Sequence, residues 1–319
     1  MKVHPLEFER PLIELEKQLE QLTADAARNA LDIGPAITSL RQRIDDQRRE
    51  TYSNLSAWQR VQIARHVQRP FTLDYINACF EDFTELHGDR HVGDDHSMPG
   101  GLARFNDQPC VVLGHQKGRD TKENLLRNFG SAHPEGYRKA LRLMRLGEKF
   151  GMPIIAFIDT PGAFPGIGAE ERNIAEAIAF NLREMMLLRT PVVAVVIGEG
   201  GSGGALGIGV ADRVLILENA YYSVISPEGC AAILWKHRQH APEAAEAMKL
   251  TAGDLLALGL VDGMIPEPAG GAHHDHATAA ANVKSAIAGA IAELAALSTD
   301  DLLAQRYEKF RRFGAFAEC

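Results

Sequence analysis

Residues 198–209 read GEGGSGGALGIG, seven glycines in twelve positions, directly after the apolar run PVVAVVI. Such a density is costly in chain entropy and argues for backbone that bends unusually or approaches something very closely. A buried β-branched strand over Val192–Ile197 that ends in this turn would deliver bare N–H groups at the carboxyl edge of a sheet, the edge at which α/β folds bind ligands. Three chemistries lie over the run. Gly198, Gly200 and Gly203 match a dinucleotide fingerprint, with Glu218 at the expected distance for a ribose contact, which would make the chain an NAD-dependent oxidoreductase. Against this, the helix that follows is interrupted by Gly207 and Gly209 and ends before Asp212, too short for a nucleotide-binding crossover. Gly200-x-Ser202-x-Gly204 matches the nucleophile elbow of a serine hydrolase, with Asp254 or Asp262 and then His273 in the right chain order. A run this rich in glycine satisfies that pattern too easily for it to be informative. In the third reading the backbone itself acts: the N–H groups of Gly203 and Gly204, at the start of a short helix, form an oxyanion hole that a ligand oxygen can reach without meeting a Cβ.

A second turn favours the backbone reading. A strand over Ile154–Ile158 runs into DTPGAFPGIGAEER, which carries Pro161, Gly162, Pro165, Gly166 and Gly168. Two consecutive βα units thus each end in a rigid turn poor in side chains, and turns from neighbouring parallel strands face one crevice. Asp159, opening the Pro-Gly turn, reads as a cap rather than as a general acid or base.

The elements that must position these turns follow from periodicity. Strands are expected at Val111–Gly114, Ile154–Ile158, Val192–Ile197, Val214–Leu217 and Tyr222–Ile225, and helices at Pro134–Phe150, Ala169–Leu188, Gly204–Gly209, Pro227–Lys236 and about 277–297. Near-continuous apolar strands between helices imply an α/β protein whose largely parallel sheet is covered on both faces. Leu12, Leu15, Leu19 and Leu22 form one apolar stripe on a helix expected to pack on the protein's own body.

Bulk composition narrows the classes. The chain has 319 residues, 45% hydrophobic and 24% charged, with a formal net charge of −8. No global field favours nucleic acid or an anionic membrane, and no apolar stretch approaches the ~20 residues of a bilayer span. The N-terminal stretch is charged and lacks an apolar signal region. Cys79, Cys110, Cys230 and Cys319 are scattered, which points to reduced thiols, a cytoplasmic location and no metal site in this chain. His273, His274 and His276 have local metal-ligand character, with a solvated loop the better reading of His274 and His276, and Lys117, Arg119, Lys122 and Arg127 form a local basic stretch.

GHQKGR at 114–119, EGYRKALRLM at 135–144, FIDTPGAFPGIGAEER at 157–172, IGEGGSGGALGIGVAD at 197–212, SVISPEGCAAILWK at 223–236 and PEPAGGAH at 266–273 closely resemble the α subunits of bacterial acetyl-CoA carboxylase carboxyltransferase, from about residue 6 to residue 312. The resemblance implies the crotonase-like (ClpP/crotonase) fold, with an N-terminal helical segment over 1–31, the carboxyltransferase domain over 32–293 and a C-terminal helical tail over 294–319. It implies an α2β2 assembly whose β subunit bears zinc and mainly holds acetyl-CoA. Biotin arrives on a partner carrier protein as carboxybiotin, charged by an ATP-using biotin carboxylase, and the product is malonyl-CoA for fatty acid synthesis. Gly203 and Gly204 would then donate to the ureido oxygen of biotin. Gly162, Ala163, Phe164, Gly201 and Ser202 would line the carboxybiotin pocket, and Lys117 and Arg119 would meet a CoA phosphate or an acidic face of the carrier, unless that stretch is simply a solvated loop. A bulky residue at Gly204 is expected to abolish transfer while leaving assembly intact.

Overall fold

An unbroken run of apolar and small residues from Val192 to Gly201 suits only a strand covered on both faces. In the computed structural model, which describes residues 5–29 and 34–314, that strand is buried at every position in the middle of an eight-stranded sheet. In chain order the strands are β1 (Glu81–Glu85), β2 (Gly100–Phe105), β3 (Gln108–Gly114), β4 (Ile154–Thr160), β5 (Val192–Gly201), β6 (Arg213–Leu217), β7 (Tyr221–Ser223) and β8 (Gly263–Ile265). Their spatial order is β1-β2-β3-β4-β5-β6-β8, with β7 beside the end of β5. From β3 to β8 all pairings are parallel, as expected. The β1-β2-β3 edge is antiparallel. Its β2–β3 hairpin turns on Asn106 and Asp107, both at positive φ, the conformation of a two-residue primed turn.

The helices are α1 (Arg10–Asn29), α2 (Gly34–Ser53), α3 (Ala57–Ala64), α4 (Thr72–Cys79), α5 (Thr121–Leu126), α6 (Pro134–Lys149), α7 (Ile167–Glu171), α8 (Ile174–Leu187), α9 (Ser202–Leu206), α10 (Pro227–Leu234), α11 (Ala241–Ala247), α12 (Ala252–Ala257), α13 (His276–Ala295) and α14 (Thr299–Arg311). The single helix expected over 169–188 is in fact α7 and α8. Asn173 between them sits at φ 64°, a left-handed conformation that ends one helix and starts the next. Among the described residues no single helix is long and apolar enough to cross a membrane.

Buried charge fastens the first and last described segments to the body of the protein. Arg306 of α14 is fully buried and donates to both carboxylate oxygens of Asp212 (2.7 Å each) and to the carbonyls of Met185, Leu188 and Thr190. The C-terminal helix is therefore part of the core rather than an appended tail, and a boundary at 294 would cut the last turn of α13.

At the other end α1 packs against α2 with Leu12 buried and Leu15, Leu19 and Leu22 half-buried. A boundary at 31 would fall among residues outside the described part. Glu9 is buried and faces His273, 3.0 Å from its Nε2, and accepts from the Tyr52 hydroxyl. The His273 ring lies 4.3 Å from His66 and 4.5 Å from His274. Glu9, His66 and His273 place ligand-type atoms within 4.8 Å of one another. His274 and His276 are exposed, as a solvated loop would have them, with His276 Nε2 2.6 Å from the Gln68 carbonyl, whereas His273 is a buried clasp for the N-terminal segment.

Burial pushes the His273 pKa down to about 4 from its ordinary 6.5, against the pull of Glu9. Between those two values the unfolded chain takes up a proton that the folded chain refuses, so folding stability is intact above pH 6.5 and is lost as pH falls toward 4. The loss reaches about 3 kcal/mol at its limit. Urea melts at stepped pH should show this fall, and His273→Gln should flatten it; equal slopes in the two proteins would exclude His273 as the source.

Candidate active site

The site begins with a break in register. Along β4 and β5, Ile158 pairs with Val196 but Thr160 pairs with Gly200, so one residue of β4 faces three of β5. A ladder interrupted this way leaves backbone groups unpaired, and side chains take their place. Asp159 Oδ1 accepts from the Glu199 N–H (2.9 Å), and Arg69 Nε donates to the Ile197 carbonyl (2.6 Å) while its other nitrogens hold Glu267. A Cβ at position 198 would stand 2.5 Å from Asp159 Oδ1. Only glycine fits there. Asp159 is therefore a buried cross-strand pin and not the turn cap expected from its neighbours.

Lys117, arriving after β3, closes the break. Its Nζ donates to Asp159 Oδ1 (2.6 Å) and Glu199 Oε1 (2.7 Å). Arg65 Nε and the Tyr221 hydroxyl both donate to Glu199 Oε2, and Arg65 continues to Glu228 on α10. Burial alone would raise the Glu199 carboxyl, but Lys117 and Arg65 override it and hold the pKa at about 2. Burial likewise opposes charge on Lys117, yet the two carboxylates raise its pKa. His115, fully buried nearby, is kept neutral, pushed down to about 3 by burial and by Lys117.

The two turns then meet. Thr160 Oγ1 receives the Gly162 N–H and donates back to the Gly162 carbonyl, and the Phe164 N–H bonds the Ala132 carbonyl. Across from them, α9 starts at Ser202 (φ 50°), so Ser202, Gly203 and Gly204 are its first three residues. N–H groups in a helix's first turn have no intrahelical acceptor, and among the described residues those of Gly203 and Gly204 donate to no other protein group. A Cβ on Gly204 would lie 2.5 Å from both Ala163 N and the Gly162 carbonyl carbon, so this glycine lets one turn seat directly on the other. Gly203 differs: a Cβ there meets only Ile178, at 3.9 Å. The short helix is held from behind by the Tyr137 hydroxyl, which donates to the Gly204 carbonyl (3.2 Å), and by Asn181 Nδ2 on the Gly207 carbonyl (2.9 Å).

Beside Ser202 and Gly203 opens an apolar cavity of about 430 Å³, walled by Leu206, Tyr222, Val224 and Phe310. A second hollow of about 540 Å³ is bordered by Arg65, Pro161, Glu199, Glu228 and Arg238. Of the residues singled out by sequence, Gly162, Ala163 and Gly204 come together in one contact, Gly201 lies against Pro161, and Ser202 and Gly203 edge the apolar cavity. Phe164 faces away, stacked on His133 at 4.2 Å. Lys117 and Arg119 are not free cations: the first is enclosed by two carboxylates, and the second pairs with Asp74 and the Val67 carbonyl. The partners a hydrolase would need are scattered, with Asp254 bonded to Thr251, Asp262 to Lys309 and His273 to Glu9. A dinucleotide crossover is excluded by α9 itself, five residues long. The cross-strand pins Lys117, Asp159 and Glu199 were missed as a unit. Their signal was a charged residue, Glu199, inside an otherwise apolar and glycine strand end.

A twisted sheet whose parallel βα turns bring bare amides together at its carboxyl edge is the crotonase-like fold of carboxyltransferases. Its solved relatives include transcarboxylase 12S (TM-score 0.58, 19% identity, 73% of this chain and 44% of that one) and a Pseudomonas malonate decarboxylase hetero-tetramer (TM-score 0.60, 17% identity, 76% and 97%). The chain belongs to the acetyl co-enzyme A carboxylase carboxyltransferase family, whose model matches residues 5–314. It is 56% identical over 315 residues to the acetyl-coenzyme A carboxylase carboxyl transferase subunit alpha of Geobacter metallireducens, covering 99% of each chain. To the subunit alpha of Thermus thermophilus it is 57% identical over 314 residues, covering 98% of this chain and 99% of that one.

Removing the ammonium leaves buried Asp159 without its ion pair and facing Glu199, which keeps Arg65. Lys117→Met is expected to cost about 3–5 kcal/mol in denaturant melts. Adding Asp159→Asn and Glu199→Gln to it should restore at least half, because the residual charge is gone; no recovery would show that packing, not charge, dominates.

Proposed function

We propose that this chain is the carboxybiotin-handling half of an acetyl-CoA carboxyltransferase and works only with its β subunit. The observation that supports the reading is the pair of amides at Gly203 and Gly204 without a protein acceptor, in a turn where position 203 has open space and borders the apolar cavity. Their role is to receive the ureido oxygen of biotin, presented on a carrier protein, while the carboxyl group leaves. Negative charge that builds on that oxygen meets donors already in place, which lowers the barrier without reorganisation. Gly162 and Ala163 form the facing wall, and the apolar cavity beside Ser202 admits the rest of the group. The carboxyl group passes to acetyl-CoA held mainly by the β subunit, giving malonyl-CoA for fatty acid synthesis. Holding both reactants in one crevice supplies much of the rate. No side-chain nucleophile is needed, which suits a neutral His115 and thiols that burial pushes up to about 11 at Cys79 and about 12 at Cys110.

The partners follow from the same reading. Ile167 and Val224 are each 80% exposed, and Ile233 and Leu234 are exposed close by in sequence, all in segments that follow the carboxyl ends of β4 and β7. Apolar side chains gathered at this edge suit burial against the β subunit in an α2β2 assembly. Zinc belongs to that subunit, ATP to the biotin carboxylase that recharges the carrier, and the whole to the cytoplasm.

The expected effect of bulk at Gly204 changes with the structure, since a side chain there would collide with the Gly162–Ala163 backbone. Gly203→Val is the cleaner variant. With β subunit added, it should lower malonyl-CoA-dependent carboxylation of biotin by about 100-fold or more, while the melting temperature and co-purification with β stay at wild-type levels. Wild-type turnover by this variant would remove the backbone-donor assignment.

A further inference from the structure

Four guanidinium groups converge on a pocket that the carboxyl-transfer chemistry does not use. Arg138, Arg142 and Arg145 stand at i, i+4 and i+7 on one face of α6, and Arg90 joins them from the loop between β1 and β2. Together with Phe180 and Asn181 of α8 they line a cavity of about 410 Å³. Like charges at this helical spacing repel and destabilise the helix. The crowding is felt: burial, and then Arg90, push the Arg142 guanidinium below its ordinary pKa. Two carboxylates border the same cavity. Asp89 turns one oxygen to the N–H groups of His91, Val92 and Gly93, leaving its buried Oδ2 without a partner, and exposed Glu176 lies 3.9 Å from Arg138 Nη2. Of the residues lining the cavity four are positive and two negative, while outside the lining Glu184 pairs with Arg145 and Glu135 lies 4.0 Å from Arg138 Nη1.

The donors are only partly engaged. Arg142 gives Nε and Nη2 to the carbonyls of Gly88, Leu86 and His87, Arg90 gives Nη1 to the His87 carbonyl, Arg145 gives Nη2 to Glu184, and Arg138 gives Nη2 to the Arg172 carbonyl. Arg138 Nη1 is buried without any hydrogen-bond partner. A buried guanidinium nitrogen with no hydrogen bond, and with only the Glu135 carboxylate at 4.0 Å, has its demand for acceptor oxygens met in part. The planar fork of arginine matches phosphate oxygens two at a time.

We infer that this pocket binds the diphosphate group of a small phosphorylated ligand. The cavity is concave and a few side chains across, which suits a small polyanion rather than a flat macromolecular face. Asn181, on its floor, also holds the carbonyls of Tyr137 and Gly207 behind α9.

Titration calorimetry with pyrophosphate, on the full chain assembled with its β subunit, tests this. Saturable binding of one pyrophosphate per chain is expected, weaker at high salt and not reproduced by sulfate or chloride at equal ionic strength. Arg138→Gln and Arg142→Gln should each weaken it at least tenfold at a temperature where circular dichroism shows both variants folded, and Arg145→Gln, already paired with Glu184, should weaken it less. ADP or CoA binding more tightly than pyrophosphate, and competing with it, would identify the source of the diphosphate. Absent saturable binding, undiminished binding by the Arg138 and Arg142 variants, or binding by the free chain that vanishes on assembly would overturn the assignment; the last would mark the pocket as a seat for an acidic stretch of the partner. None of these readouts depends on carboxyl transfer.

Discussion

One ammonium group between two carboxylates fixes the centre of this protein. Where β4 and β5 fall out of register, three β5 residues must be accommodated opposite one, and backbone pairing alone does not hold them. Lys117 draws Asp159 and Glu199 together, and these residues stand immediately before the two turns that form the crevice. Buried charges of this kind are weak contributors to net stability, but they are exacting about geometry. The bulge, the glycine at 198 and the seating of one turn on the other all follow from that contact.

Charge performs a second task at the periphery. Apart from these groups the core of the sheet is apolar, whereas the first and last described segments are attached by groups that would be costly to bury alone. Arg306 saturates its donors on Asp212 and three carbonyls, and Glu9 sits among Tyr52, His273 and His274. Apolar contacts would have held either segment at several nearly equivalent positions; directional pairs select one.

The sheet was readable because its strands are buried on both faces and so appear as continuous apolar runs; Val192–Ile197 and Ile154–Ile158 lie where they were expected. The antiparallel edge was less visible. Its hairpin turns on Asn-Asp without glycine, and β1 is exposed and charged. The helix over 169–188 looked continuous because one left-handed asparagine interrupts it without altering the apolar period. Near the proposed site, glycine density marked Gly204 and Gly162, which the structure brings into direct contact. What sequence could not convey was the direction of long side chains: Lys117 looked like a solvent-facing cation because its two carboxylates lie far along the chain, and the burial of His273 was hidden because Glu9 lies 264 residues away in sequence.

The direct seating of Gly204 on the Gly162–Ala163 peptide gives the crevice the character of a caliper rather than a hinge. Neither jaw can yield without pushing the other, and both are anchored to adjacent strands of a buried sheet. The gap is therefore set by interstrand spacing, not by loop flexibility. Where the two turns meet, their spacing is a property of the sheet, and it will resist alteration by side-chain changes nearby.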